Sequence, residues 1–387
     1  MEIDGAMEQL NSAGALWMRS ASDIADQEYK DFFTSLDFMG GDPLWRMHFR
    51  VEGMLEYTGL IYIPSSRPFD LFDPDRKPKL KLYCNQVFIT DNSNELLPSW
   101  LRFLRGVVDS SDLPLNVSRE MLQNNPILRK IKSAVVKRTI DLLEKKSKEN
   151  ASEFADFWGN FGAVLKESLY EGSEHQDRIL KICRYHSTKG DDYRTLDEYK
   201  KDMKEGQEEI FCITAETIEK AKSSPQLEAF TKNDVEVLIM IDPIDDFWLQ
   251  MQPQYDDIPI MSITRTSSDP ANLGAKNDDE ADTDKKKADD KAGDSHQALL
   301  DIFKDALGDR VTDVRVSKRL TTSAVCLAMD GPGADLKMNR VMRAHNAGMP
   351  EVKPVLEINP DHTVMALVQK SKKQKQQAIA QTLLDQA

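Results

Sequence analysis

Residues 209–241 read EIFCITAETIEKAKSSPQLEAFTKNDVEVLIMI. Glu209–Ile213 is a short strand, apolar after its first residue, Ala215–Lys222 has helical spacing, and Val235–Ile241 (VEVLIMI) is an apolar strand run apart from Glu236. Strand, helix and strand at this spacing predict a βαβ crossover, whose two strands run parallel and are buried on both faces. That unit points to an α/β (α+β) fold rather than a helical bundle or a β-sandwich.

Working towards the N-terminus, Thr195-Leu-Asp-Glu198 matches a capping box that opens a helix to about Lys204. Phe154–Tyr170 is amphipathic, with Phe154, Phe157, Trp158, Phe161 and Leu165 on one side. From Pro126 the apolar positions Leu128, Ile131, Val135 and Leu142 keep a helical spacing. Val51–Pro64 and Lys79–Thr90 read as strands, separated by Pro64 and the charged DPDRKPK stretch. His186, in RYHSTKGDD, reads as a loop residue, and Asp361-His362 in NPDH as a turn. Towards the C-terminus, Ala298–Ala306, Asp335–Asn346 and Lys372–Leu384 read as helices, with Val311–Leu320 and Pro354–Ile358 as strands. Between the two parts, Ser267–Ser295 has nine acidic and five basic residues, no aromatic, and Leu273 as its one large aliphatic. Such a segment buries too little to offset its ordering entropy and reads as a flexible linker.

The chain has 387 residues, enough for two or three domains. Lysine plus arginine is 51 and aspartate plus glutamate 65, a formal charge of −14. That balance argues against a general nucleic-acid or anionic-membrane binder. The four cysteines stand apart, without a CxxC pair, which fits neither a zinc site nor a disulfide framework. The start, MEIDGAMEQLNSAG, has no apolar targeting core, and no apolar run reaches the roughly 18–20 residues that span a bilayer. A soluble, cytoplasmic protein is expected.

No GxxxxGK[ST] or GxGxxG stretch is present, which argues against a self-sufficient nucleotide hydrolase of those classes. Ser110–Gln123 (SSDLPLNVSREMLQ) places Asn116 in a loop, Ser118 at a helix cap, and Arg119 and Gln123 four residues apart on one face. Such a pair can grip an anion supplied from outside, as an arginine finger does; a surface arginine paired with a carboxylate is the plainer reading. Met338, Val341, Met342 and His345 follow an i, i+3, i+4, i+7 spacing after the Gly331-Pro-Gly333 loop. The stripe is either core for its own domain or an adaptable surface for varied partners. Phe247-Trp248 reads first as an aromatic pair buried at a strand end.

Longer blocks carry a resemblance. VFITDNSNELLPSWLRFLRGVVDSSDLPLNVSREMLQ (Val87–Gln123) and DPLWRMHFRVEGMLEYTGLIYIPSSRPFDLF (Asp42–Phe72) resemble the middle domain of the ninety-kilodalton heat-shock chaperones. GDRVTDVRVSKRLTTSAVCL (Gly308–Leu327) and PEVKPVLEINPDH (Pro350–His362) resemble the C-terminal domain of the bacterial form, high-temperature protein G. The resemblance implies residues 1–15 as the end of an inter-domain linker and 16–264 as a middle domain. That domain would hold a large αβα unit (about 16–145), a helical connector (about 146–190) and a small αβα unit (about 191–264). It further implies a charged linker at 265–296 and a dimerisation domain at 297–387, short of its last helices. The family's ATP-binding N-terminal domain is absent from this stretch.

Asn116, Arg119 and Gln123 fall on the family's catalytic loop, whose arginine reaches the γ-phosphate of ATP held by that other domain. Met338, Val341 and Met342 match helix positions proposed to touch clients, and Trp248 matches a tryptophan implicated in client contact. The implied partners are non-native client proteins and, in the full-length protein, a second copy of the chain, with weak dimerisation here. The implied cofactor is ATP in the full-length protein and none in this stretch, and no nucleic-acid or membrane partner is implied. A stand-alone hydrolase and a passive assembly scaffold are the rival readings.

Overall fold

The computed structural model describes residues 2–3, 6–7, 14–37, 41–73, 76, 78–91, 95–113, 125–265, 296–330, 336–338 and 352–387. The chain divides into two compact units, Met1–Glu171 and Gly172–Ala387.

In the first unit α1 (Asp26–Leu36) precedes β1 (Pro43–Val51), β2 (Tyr57–Pro64), β3 (Lys79–Cys84), β4 (Val87–Thr90) and β5 (Arg105–Ser110). These strands form one sheet in the order β1-β2-β5-β3-β4. Strand β2 is buried along its whole length. Leu60 and Tyr62 point to one face, where with Val107 they meet Trp17, Tyr29 and Phe33. Strand alternation sends Ile61 and Ile63 to the other face. There Trp45, opposite Ile63 in register, packs 6.3 Å from Phe154 and 5.1 Å from Phe157. Those two rings belong to α3 (Ala151–Tyr170), which follows α2 (Pro126–Glu149). Helices on both faces explain why YTGLIYIP lacks polar alternation.

Two predicted strands are hairpins. Val51–Pro64 turns between β1 and β2, with Val51 opposite Tyr57. The edge strand β1 was not among the expected strands, although Trp45, Met47, Phe49 and Val51 alternate with Arg46, His48 and Arg50 at a strand's period of two. Lys79–Thr90 turns at Asn85 and Gln86, both left-handed (φ 48° and 66°), with Cys84 paired to Val87. A two-residue hairpin loop with both φ values positive follows the right-handed strand twist. Asparagine tolerates that conformation; glutamine does so at a cost.

In the second unit α4 (Gln176–Ile182) leads to β6 (Tyr185–Ser187), β7 (Gly190–Arg194) and α5 (Leu196–Lys201). The capping box is present: Thr195 Oγ1 accepts from Glu198 N (3.1 Å), and Thr195 N donates to Glu198 Oε2 (2.8 Å). Next come β8 (Ile210–Thr214), α6 (Ile218–Lys222), α7 (Glu228–Lys232), β9 (Leu238–Met240), α8 (Asp245–Trp248), β10 (Gln254–Tyr255) and β11 (Ile258–Ser262). The sheet order is β10-β11-β8-β9-β6-β7. Strand β8 pairs in parallel with both β9 and β11, which bears out the crossover. His186 lies in β6 rather than a loop, its ring 4.7 Å from that of Tyr193.

The rest of this unit opens on helix α9 (residues 296–307), followed by β12 (Asp313–Val316), β13 (Val325–Ala328) and β14 (Val355–Ile358) in the order β12-β14-β13. α10 (Thr363–Lys370) and α11 (Lys373–Gln386) complete it. NPDH is more than a turn, for His362 Nδ1 caps α10 by accepting from Val364 N (3.2 Å). Ala380, Leu383 and Leu384 join a core with Phe303, Leu356 and Val368. The linker Ser267–Ser295 and most of the predicted helix Asp335–Asn346 lie outside the described residues; 336–338 are helical. Helices with mixed sheets make the chain α+β, as expected.

Gly106 shows how closely β5 and β2 approach. Its φ is +142°, and a Cβ there would stand 2.2 Å from Leu60 O. Gly106→Ala should lower unfolding free energy by at least about 2 kcal/mol in a denaturant titration. A smaller loss would mean that β5 moves freely against its neighbour.

Candidate functional site

Parallel strands end together, and ligand crevices in α/β sheets open at their carboxyl edges. In the second unit a cleft of about 570 Å³ lies at the ends of β8 and β9. Thr214 and Ala215 line one side, Asp246 and Phe247 the next, and Lys337 and Met338 the opposite wall. Asp246 is only 3% exposed. Lys337 Nζ lies 2.8 Å from Asp246 Oδ2 and 3.4 Å from Ala215 O. Asp246 Oδ1 and Thr214 Oγ1 are buried and accept no hydrogen bond from the described residues. Both atoms are sealed from solvent behind the lining, so the cleft itself presents Phe247 and Met338 beside the Lys337–Asp246 pair.

The walls are joined by polar contacts. Glu228 of α7 accepts the successive backbone N–H groups of Thr321 (2.6 Å), Thr322 (2.8 Å) and Ser323 (3.0 Å). The hydroxyls of Thr321 and Thr322 also donate to it. Arg319 donates to the carbonyls of Ile263 and Arg265 and lies 3.0 Å from Glu357. Gln226 Nε2 donates to Leu327 O (2.5 Å), and Met329 N to Thr264 O (2.9 Å).

The structure sorts the predicted site residues. Trp248 is turned inward at 1% exposure, its indole N–H on Asp245 Oδ1 at 2.8 Å. The aromatic that faces the cleft is its neighbour Phe247, 37% exposed. Adjacent helical side chains point about 100° apart, and here the Asp245 hydrogen bond turns Trp248 inward while Phe247 is left facing the cleft. Met338 is half-buried and lines the cleft. Val341 and Met342 lie outside the described residues, as do Asn116, Arg119 and Gln123. Thr214, Asp246 and Lys337 were missed; the signal for the second was an Asp-Asp pair directly after a buried strand.

These features fit comparisons with known proteins. The model of the Hsp90 protein family matches residues 2–386. The chain is 46% identical over 364 residues to Chaperone protein HtpG of Paramagnetospirillum magneticum, covering 94% of this chain and 58% of that relative. It is 43% identical over 373 residues to Chaperone protein HtpG of Wolbachia pipientis wMel, covering 96% and 58%. It is 40% identical over 393 residues to Chaperone protein HtpG of Orientia tsutsugamushi, covering 100% and 62%. The chain belongs to the Hsp90 family, and it spans about three-fifths of the length of these relatives.

Glu228 makes the junction pH-dependent. Burial raises its pKa, but hydrogen bonds from Ser323, Thr322 and Thr321 outweigh that and hold it at about 2. A carboxylate with a depressed folded pKa contributes stability that is present above its unfolded value of about 4.3 and lost as pH falls towards 2. Glu228→Gln should cost about 2 kcal/mol of unfolding free energy at pH 7. The gap from the unaltered chain should close between pH 4.3 and 2, as read from urea titrations. A gap that persists unchanged at pH 2 would assign the loss to packing.

Proposed function

We propose that this chain is the middle and C-terminal part of an ATP-dependent molecular chaperone of the Hsp90 family. It binds non-native client proteins in the second-unit cleft. It also supplies Arg119, with Asn116 and Gln123 beside it, to the γ-phosphate of ATP bound by another domain of the longer protein. In this reading residues 16–264 form the middle domain and 297–387 a dimerisation domain that pairs two copies in the full-length protein. The setting is cytoplasmic, and the chain alone neither binds nor hydrolyses ATP.

The observation that carries the client reading is the composition of the cleft. Phe247 and Met338 present adaptable apolar surface. Beside them the Lys337–Asp246 pair and the Ala215 carbonyl supply polar groups. An unfolded segment offers both kinds of group without a fixed sequence. By sequence spacing, Val341 and Met342 fall at i+3 and i+4 from Met338.

Phe247→Ser with Met338→Ser should reduce suppression of client aggregation at least about twofold. The melting temperature should fall by less than about 4 °C, since neither side chain is fully buried. Unchanged suppression would favour a passive scaffold.

Arg119 carries the ATP reading. In the longer protein, Arg119→Ala should lower steady-state hydrolysis by about tenfold to 10³-fold while nucleotide affinity stays within about twofold. Arg119→Lys should restore little, because an ammonium lacks the planar fork. Normal turnover in the alanine variant would return Arg119 to the surface.

A further inference from the structure

Asp109 belongs to neither the cleft nor the loop residues, yet it is a carboxylate at 4% exposure inside a central strand. A buried carboxylate is costly unless its oxygens are filled. Asp109 Oδ2 takes the indole N–H of Trp17 at 2.9 Å and the backbone N–H of Gln86 at 3.0 Å. Neither donor is charged. The Gln86 contact also accounts for the left-handed glutamine, because it holds the hairpin turn against the end of β5.

The residues after Asp109 are fastened in the same manner. Ser110 Oγ donates to Glu56 O (2.8 Å), and Glu56 N donates to Asp112 Oδ2 (2.7 Å). Cys84 Sγ donates to Leu113 O (2.8 Å), and Leu113 is buried. The start of the stretch that carries Asn116, Arg119 and Gln123 is thus pinned to two hairpin turns. Its far end is marked by Asn125, whose Oδ1 accepts from Ile127 N at the start of α2.

Trp17 is the side-chain donor in this network and comes from a separate, short segment of the chain. It sits in the single 3-10 turn Leu16–Met18, its carbonyl hydrogen-bonded to His48 Nε2 (3.0 Å) and its ring 4.7 Å from that of Tyr83. Withdrawing the indole leaves Asp109 one donor short. The least costly relief is for residues 109–113 to shift towards water.

We propose that Asp109 is a positioning residue: it fastens the Trp17 indole to the root of the 110–125 stretch and so fixes where that stretch begins. A displacement of residues 14–18 is thereby passed to Asn116, Arg119 and Gln123. Only the link to ATP turnover rests on the function proposed above.

The test is hydrogen exchange on this chain, comparing Trp17→Phe, Asp109→Ala and Asp109→Asn. Trp17→Phe keeps one aromatic ring but removes the N–H and the fused ring, whereas Asp109→Ala removes the acceptor and leaves the aromatic packing intact. Both should speed exchange over residues 110–125 about tenfold or more, while residues 57–64 stay within about twofold. Asp109→Asn should stay near the unaltered chain, because its amide oxygen can take the place of Oδ2. Unchanged exchange over 110–125 in the first two variants would overturn the proposal. An equal rise across 57–64 would overturn it too, by marking general loss of stability.

In the longer protein, Trp17→Phe should lower kcat for ATP hydrolysis at unchanged KM, with Asp109→Asn near normal. Raised exchange with normal kcat would keep Asp109 as the fastening and remove Arg119 from the chemistry.

Discussion

Central strands covered on both faces leave no lateral exit for polar chemistry, and this constraint shapes both units. Strands β2, β5 and β8 are buried along their whole lengths. A polar group in such a strand must find partners within the sheet or move to a strand end. Arg105 opens β5 with its Nε on Asp37 Oδ2 (2.8 Å) and its Nη1 on the carbonyls of Arg102 and Leu104. Asp109 and Ser110 close it. In the second unit the same rule puts Thr214 and the Asp242–Asp246 corner at the carboxyl edge, where the cleft opens. Both candidate sites are therefore products of one packing rule.

The second unit is assembled from two apolar cores that share no residue. One runs from Phe211 to Ile263, the other from Leu299 to Leu384. Between them lie Glu228 with its three N–H donors, Arg319 with its two carbonyls, and Gln226. Any motion of one core against the other would have to break these hydrogen bonds. Lys337 spans the cleft at the same place, so any such motion changes the surroundings of Asp246.

Much of this architecture is legible in sequence. The run VEVLIMI announces a strand buried on both faces, and TLDE a capped helix, because each depends on local pattern. Hairpins were harder. The turn at Asn85-Gln86 has no glycine, and its left-handed glutamine is held by Asp109, 23 residues away in sequence. The helix Thr363–Lys370 hid behind a turn-like NPDH because histidine is an uncommon cap. At the cleft, sequence spacing brought forward Met338 and the Phe247-Trp248 pair. It did not say which of the two rings faces out, since that is decided by Asp245 taking the indole N–H. Thr214 and Asp246 come together through the crossover, and Lys337 reaches them from a helical segment far later in the chain.

An arginine that acts on a phosphate held by another domain has a demanding geometric task. Its guanidinium must arrive within hydrogen-bond range in a fixed orientation, and small misplacements are expensive in rate. The first unit meets part of that demand without using Arg119 itself. Its strand β5 is locked by the close approach at Gly106, and Asp109 and Ser110 then hand the chain to two hairpins. Hydrogen bonds to a buried carboxylate are short, directional and costly to break, so they fix a position better than apolar contact does. The segment bearing Trp17 is by contrast a single turn held by a few contacts. In the reading proposed above, one indole hydrogen bond joins that turn to the end of a stiff strand, so the turn's position bears on where residues 110–113 leave the sheet, while the sheet beneath stays still.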